Sequence, residues 1–225
     1  MITRLGALGD IHAQSDLLAS ALALFEAHGC DGIVSVGDII DGLAPPGGGV
    51  NACCRLLQQH RVLTVAGNHE RWLLAGEMRT LPHATQLAEL DAPALEFLGA
   101  LPPTRLIDTA AGPLLLCHGI DRDDMAQLRP YDEGYALECI DALPALLARS
   151  ELRFVLGGHT HYRMLRRIQN IVFLNAGTLL CHHDTRPTCL IVDFAAKTGT
   201  FFVHDGRAWS PASETPAPLA GDAPG

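Results

Sequence analysis

RVLTVAGNHERWLLAGEM, residues 61–78, carries the pattern on which the fold turns. Val62 to Ala66 is an apolar run of strand length, and a helical pattern begins near His69. Between them stand Gly67, Asn68, His69 and Glu70. Capping accounts for part of this, since Asn68 is a favoured N-cap and Glu70 suits the positive end of a helix. Capping gives no reason for His69.

Outward from this stretch, strands and helices alternate. Ile2 to Leu8 reads as a strand. Ser15 to His28 reads as a helix capped by Ser15, with Leu17, Leu18, Ala21, Leu24 and Phe25 on one face and Gly29 as its C′ residue. Gly32 to Val36 is a strand, Val50 to His60 a helix, and Val62 to Ala66 the third strand. The β-α-β-α-β order predicts a parallel sheet with right-handed crossovers. Residues 69–100 read as helix broken at Pro82 and Pro93, and Pro102-Pro103 opens an extended region leading into Pro113 to Cys117. Asp132 to Ala148 reads as a helix kinked or shortened by Pro144. Strands are then expected at 153–156, 163–168, 171–174, 188–194 and 200–203, with hairpin turns at Gln169-Asn170 and 197–199. One domain is expected over 1–208, followed by a Pro/Ala/Gly-rich, disordered tail at 209–225.

Composition narrows the function classes. With 225 residues, 48% hydrophobic and 18% charged, the chain reads as globular with a large core. Its net charge of −9 argues against a nonspecific nucleic-acid or anionic-membrane binder. The seven cysteines are odd in number and form no CxxC pair. Cys117, Cys139 and Cys189 lie in apolar runs, so the set reads as reduced, mostly buried thiols. No secretory signal or membrane span is visible, and a cytoplasmic protein is expected.

Five apolar runs end in polar clusters: GDIH (9–12), GDIID (37–41), GNHE (67–70), CHG (117–119) and GGHTH (157–161). Ligands bind at the carboxyl ends of strands in open α/β sheets, so these clusters are expected to converge on one sheet edge. In extended chain, residues i and i+2 face one side, which would pair Asp10 with His12 and His159 with His161. Asp, Asn and His together suit manganese, iron, zinc, nickel or cobalt better than calcium. One four-coordinate zinc would not use seven such residues, whereas two metals sharing a carboxylate would.

The five blocks, in this order, resemble the signature of the calcineurin-like metallophosphoesterase superfamily, over residues 9–161. The resemblance implies an α/β fold, a four-layer α/β/β/α sandwich with its ligands at the C-terminal strand ends. It implies two divalent transition-metal ions, manganese first, one held by Asp10, His12 and His161. Asn68, His118 and His159 would hold the other, and Asp38 would bridge them. His69 would face the phosphate as proton donor or transition-state stabiliser, oriented by Asp41. The implied reaction is attack of a metal-bridged hydroxide on phosphorus.

Within the superfamily, protein phosphatases and dinucleoside tetraphosphatases carry an arginine after GDxxD, where this chain has Gly42-Leu43. CHGI also departs from their HGG. The segment FLGALPPTRL (97–106) and the turn NAGT (175–178) are more similar to the small bacterial and archaeal phosphodiesterase class. A phosphodiesterase on a small nucleotide-like substrate is therefore expected. The alternatives are a phosphomonoesterase, protein phosphatase or dinucleoside polyphosphate hydrolase, and a non-catalytic interaction module. A homodimer is left open, since this class includes dimers.

Arg71 and Arg163 come just after their blocks and are weak candidates for substrate phosphate, with a structural role at least as good a reading. Glu70 reads as a helix-start residue and Cys117 as buried strand. His28, His60, His83 and His204 read as ordinary core or surface histidines. His182 and His183 read as a polar loop lining the cleft. Residues 121–134, DRDDMAQLRPYDEG, are expected at the cleft rim, where they would influence specificity.

Overall fold

The computed structural model describes residues 1–181 and 186–219; His182 and His183 lie outside the described residues. The first half runs β1 (Arg4–Leu8), α1 (Ser15–Ala27), β2 (Gly32–Ser35), α2 (Val50–Gln59), β3 (Leu63–Thr64), α3 (Asn68–Ala75) and α4 (Ala92–Gly99). Next come β4 (Thr104–Thr109), β5 (Gly112–Cys117), α5 (Tyr135–Glu138), α6 (Leu143–Leu147), β6 (Phe154–Gly157), β7 (Arg163–Ile168) and β8 (Ile171–Ala176). The chain closes with β9 (Thr188–Asp193), β10 (Thr198–His204), β11 (Trp209–Pro211) and β12 (Ala217–Pro218).

Two sheets result, one ordered β11-β10-β9-β1-β2-β3 with β12 also on β10, the other β4-β5-β6-β8-β7. β1, β2 and β3 pair in parallel, as their helical crossovers require, while β9 returns antiparallel beside β1. Period-two alternation sorts the side chains. Leu114 and Leu116 turn inward with Leu156 and Leu174 to meet Leu5, Val34 and Val192 of the first sheet. Leu115 and Val155 turn outward and pack under Leu143 and Leu146. Leu18 and Phe25 of α1, Leu57 of α2, Leu73 of α3 and Leu98 of α4 cover the outer face of the first sheet. This is a four-layer α/β/β/α sandwich.

Several local expectations need correction. Asp132 to Ala148 is two short helices, because Pro144 sits in the first turn of α6, where its missing N–H costs nothing. Cys139 ends α5 exposed, unlike the buried Cys53, Cys54, Cys117 and Cys189. Pro93 likewise lies in the first turn of α4, behind the Asp91 cap that accepts the Ala94 N–H at 2.9 Å. Ser15 is the first residue of α1, after the cap residue Gln14, and its hydroxyl accepts the Gly49 N–H at 3.3 Å.

Residues 209–219 are ordered, contrary to the expected tail. β11 and β12 extend the first sheet, Trp209 Nε1 donates to Ser20 Oγ at 2.9 Å, and Leu219 is buried between the sheets. Pro-rich composition hides these two apolar anchors. Among the described residues, no helix is long and apolar enough to cross a membrane.

Candidate metal centre

Asp10 follows β1, Asp38 follows β2 and Asn68 follows β3; His118 follows β5, while His159 and His161 follow β6. The five clusters therefore come from both sheets and meet across the edge of the sandwich, not along one sheet. Asp10, His12 and His161 form one group whose ligand atoms lie within 4.8 Å of one another, and Asp38, His118 and His159 form another. His12, Asp38 and His69 form a third. Asn68 Oδ1 lies 2.9 Å from both His118 Nε2 and His159 Nδ1. His12 Nε2 lies 3.2 Å from His161 Nε2, and His118 Nε2 lies 3.2 Å from Asp38 Oδ2.

The backbone reaches this arrangement through turns, not extended chain. His12, Asp38, His159 and His161 all have positive φ, between 45° and 64°. Simple i, i+2 alternation is thus not what brings Asp10 to His12 or His159 to His161. Non-glycine residues in this region are sparse and carry strain of order 1–3 kcal/mol each, tolerated where the surroundings over-determine them. Gly67 is required by proximity, since a Cβ there would overlap the Asp38 carboxylate. Gly67 is also the cap position of α3, so Asn68 is its first helical residue and its side chain is left for His118 and His159.

Buried partners aim the rings. His12 Nδ1 lies 2.7 Å from Asp41 O and His118 Nδ1 lies 2.9 Å from Val36 O. A carbonyl only accepts, so each Nδ1 carries a proton, and Nε2 is the ring nitrogen turned to the cluster. Glu70, in sequence a helix-start residue, is completely buried and does more. Its carboxylate accepts the N–H groups of Gly67 (2.8 Å), Asp38 (2.9 Å), Ile39 (2.7 Å) and Ile40 (3.3 Å). The start of α3 and the loop after β2 are thereby tied together through one side chain.

Beside the cluster stands a second network. His69 Nδ1 is 2.7 Å from Asp41 Oδ2, and His69 Nε2 is 3.8 Å from Asp38 Oδ2. Arg79 grips Asp41 with two N–H groups at 2.9 and 3.0 Å, and the Thr85 N–H adds a bond at 2.7 Å. Arg79 was missed in the sequence because it follows no strand and belongs to no cluster.

Electrostatics match these contacts. Burial would raise the Asp41 carboxyl, but His69 and Arg79 outweigh it and hold it below its usual range. Burial would lower His69, but the bond to Asp41 and the charge of Asp38 leave it raised. His118, lowered by burial, is lifted to about 10 by Asp38 and Asp10. His159 and His161 are lowered, by burial first. Two observations fit a divalent cation here. Asp10 Oδ2 is buried with no hydrogen-bond partner. His12 and His161 also bring their Nε2 atoms within 3.2 Å of each other, a convergence of ring nitrogens that suits a shared cation.

The arginine candidates fare differently. Arg71 is held by both oxygens of Asp124, at 2.7 and 2.9 Å. Arg163 lies over the Phe201 ring, 5.8 Å from its centroid. The 121–134 segment does approach the centre, with Gln127 Nε2 3.4 Å from His159 Nε2. Arg166 anchors it by donating to the carbonyls of Arg129, Pro130 and Asp132.

Two stacked sheets with a His/Asp/Asn centre at their joined strand ends define a class of metal-dependent phosphoesterases. The sequence profile of the calcineurin-like phosphoesterase superfamily domain matches residues 3–197, and the chain belongs to that superfamily. A metallophosphoesterase from Sphaerobacter thermophilus superposes with a TM-score of 0.65 at 21% identity, covering 89% of this chain and 87% of that one. A novel archaeal phosphodiesterase superposes at 0.57 and 14% identity, covering 89% and 99%. Vacuolar Protein Sorting 29 from Cryptosporidium parvum superposes at 0.56 and 17% identity, covering 95% and 99%. At these identities the likeness is of fold alone. No curated protein matches the sequence significantly.

Proposed function

We propose that the protein is a dinuclear-metal phosphodiesterase acting on a small nucleotide-like substrate. One cation would be held by Asp10, His12 and His161, the other by Asn68, His118 and His159, with Asp38 between them. The donor set suits manganese and also iron, zinc, nickel or cobalt. When bound, two such cations supply Lewis acidity that neutralises phosphate oxygens and lowers the pKa of water.

The observation that carries the reading is the His69–Asp41 pair set against Asp38. Asp41 accepts the Nδ1 proton and favours the imidazolium, so Nε2 holds a proton on the side facing Asp38. That proton can pass to the departing ester oxygen, which general acid catalysis requires. Arg79 and Thr85 fix the Asp41 carboxylate, and through it the ring of His69.

Charge supports a diester over a monoester. A monoester dianion calls for cationic side chains beyond the metals at the scissile phosphate, and on the His69 side both Arg71 and Arg79 are engaged by carboxylates. Gly42 stands where protein phosphatases carry arginine. The free cysteines support a reducing, cytoplasmic setting.

The test is turnover of bis(para-nitrophenyl) phosphate against para-nitrophenyl phosphate by chelator-stripped protein reloaded with manganese. We expect preference for the diester, loss after stripping, and a decrease of roughly 10²–10⁴-fold in His69→Ala with metal content retained. Preference for the monoester would replace this reading by a phosphatase.

A further inference from the structure

His161 faces two ways. Its Nε2 meets His12 in the centre, and it also borders a cavity of about 500 Å³ lined by Tyr162, Arg163, Arg186, Thr188 and Ser210. This cavity lies where the strand edges of the two sheets come together: Arg163 opens β7, Thr188 opens β9 and Ser210 lies in β11. Among the described residues its lining holds two guanidinium groups and no carboxylate, in a chain of net charge −9.

The cationic lining contrasts with the arginines around His69. Arg71 and Arg79 are bound by Asp124 and Asp41, whereas among the described residues no carboxylate pairs with Arg163 or Arg186. Arg163 is positioned by other means: its guanidinium lies over Phe201, and its stem packs beside Gly177, where a Cβ would touch it at 3.3 Å. A fixed, planar guanidinium without a carboxylate partner matches the oxygens of a phosphate. At the rim, Tyr162 is 45% exposed and stands edge-on to the exposed Tyr131, 5.9 Å between ring centroids, which offers aromatic surface to a nucleobase or sugar.

We propose that this cavity is a subsite for a second phosphate group on the substrate, held by Arg163 and Arg186 while the scissile diester lies at the metal centre. The preferred substrates are then small nucleotides that carry a phosphate beyond the one being cleaved. The proposal rests on the phosphodiesterase reading, since it takes the adjoining centre as the place of cleavage. It also explains how a centre with no spare arginine near His69 could still select a highly charged substrate.

A matched pair of ligands tests it: thymidine 5′-(para-nitrophenyl phosphate) with and without a 3′-phosphate. Calorimetric binding of thymidine 3′,5′-bisphosphate and thymidine 5′-monophosphate to the manganese-loaded protein gives a readout independent of turnover. Both arginines are exposed, so Arg163→Gln and Arg186→Gln leave the core intact. Wild type should favour the 3′-phosphorylated member about tenfold in both kcat/KM and Kd, as one charge-assisted contact pair provides. Each variant should lose most of that preference. Equal handling of the two members by wild type, or a preference that survives in both variants, overturns the subsite. Loss of diester turnover with an intact, arginine-dependent bisphosphate preference would overturn the phosphodiesterase reading and leave the subsite standing.

Discussion

Around Asp38, Ile39 and Ile40, on the first sheet, the backbone N–H groups turn inward to one buried carboxylate, Glu70, and Asp41 is held by Arg79, Thr85 and His69. Around His159 and His161, on the second sheet, the support is thinner. His159 N–H donates to Asp10 Oδ1 at 3.0 Å, and Asn175 reaches Gly158 O at 2.8 Å and Thr160 Oγ1 at 3.2 Å. The first half is closed by buried ionic groups; the second is partly open and adjoins the arginine-lined cavity. The contrast teaches that precision and access are divided between the sheets. One half holds the His69–Asp41 pair still, and the other borders the open cavity.

The largest expected effect is on stability. Glu70→Ala leaves four N–H groups without their acceptor, each costing about 1–3 kcal/mol if it stays dry. For a chain of this size a loss of roughly 4 kcal/mol lowers Tm by about 8–16 °C. Asn175→Ala, on the open half, should cost about 1–3 kcal/mol. Thermal unfolding of both variants measures the asymmetry, and equal losses would break the comparison.

Proton transfer comes next. His69 is raised by Asp41, and a general acid works while protonated, so activity holds below its folded pKa and falls as pH rises through it. Removing the carboxylate charge removes a raising influence, so Asp41→Asn should move the alkaline limb of the kcat/KM profile to lower pH. Arg79→Met keeps that charge and loosens its geometry, so it should reduce kcat by about tenfold without moving the limb downward. A limb unmoved in Asp41→Asn would remove Asp41 from the proposed proton pathway.

The smallest effect is expected at the rim. Arg71 and Asp124 form an exposed pair with 46% of the arginine side chain accessible, and Arg71→Ala should cost only about 0.2–1 kcal/mol. A Tm change under about 4 °C is expected. A much larger one would show that the rim is as firmly tied as the Glu70 loop.

Much of this was legible in the linear pattern. Strand, Gly-rich turn, polar cluster and helix recur in a way that identifies the parallel core of the first sheet, and the five clusters named from sequence do fold together. Three features resisted sequence reading. Glu70 looks like any helix-start acid until its four N–H partners, three of them about 30 residues away, are known. Arg79 sits in a turn region with no periodic signal, and its importance comes from a carboxylate 38 positions earlier. Trp209 and Leu219 were masked by the prolines around them, because composition does not reveal which apolar side chains will find cover.

The sequence by itself determined which residues are available for chemistry and, through hydrophobic periodicity, which elements carry them. Those are local properties, written within a few residues of each strand end. The tertiary structure decided that the clusters meet across two sheets, that His12, His159 and His161 turn inward through left-handed backbone, and which arginines keep a carboxylate partner. Each of these depends on distant groups competing for the same space and charge. Arg71 and Arg163 look alike in sequence, yet Asp124 engages the first and Phe201 stacks beneath the second, leaving it facing the cavity.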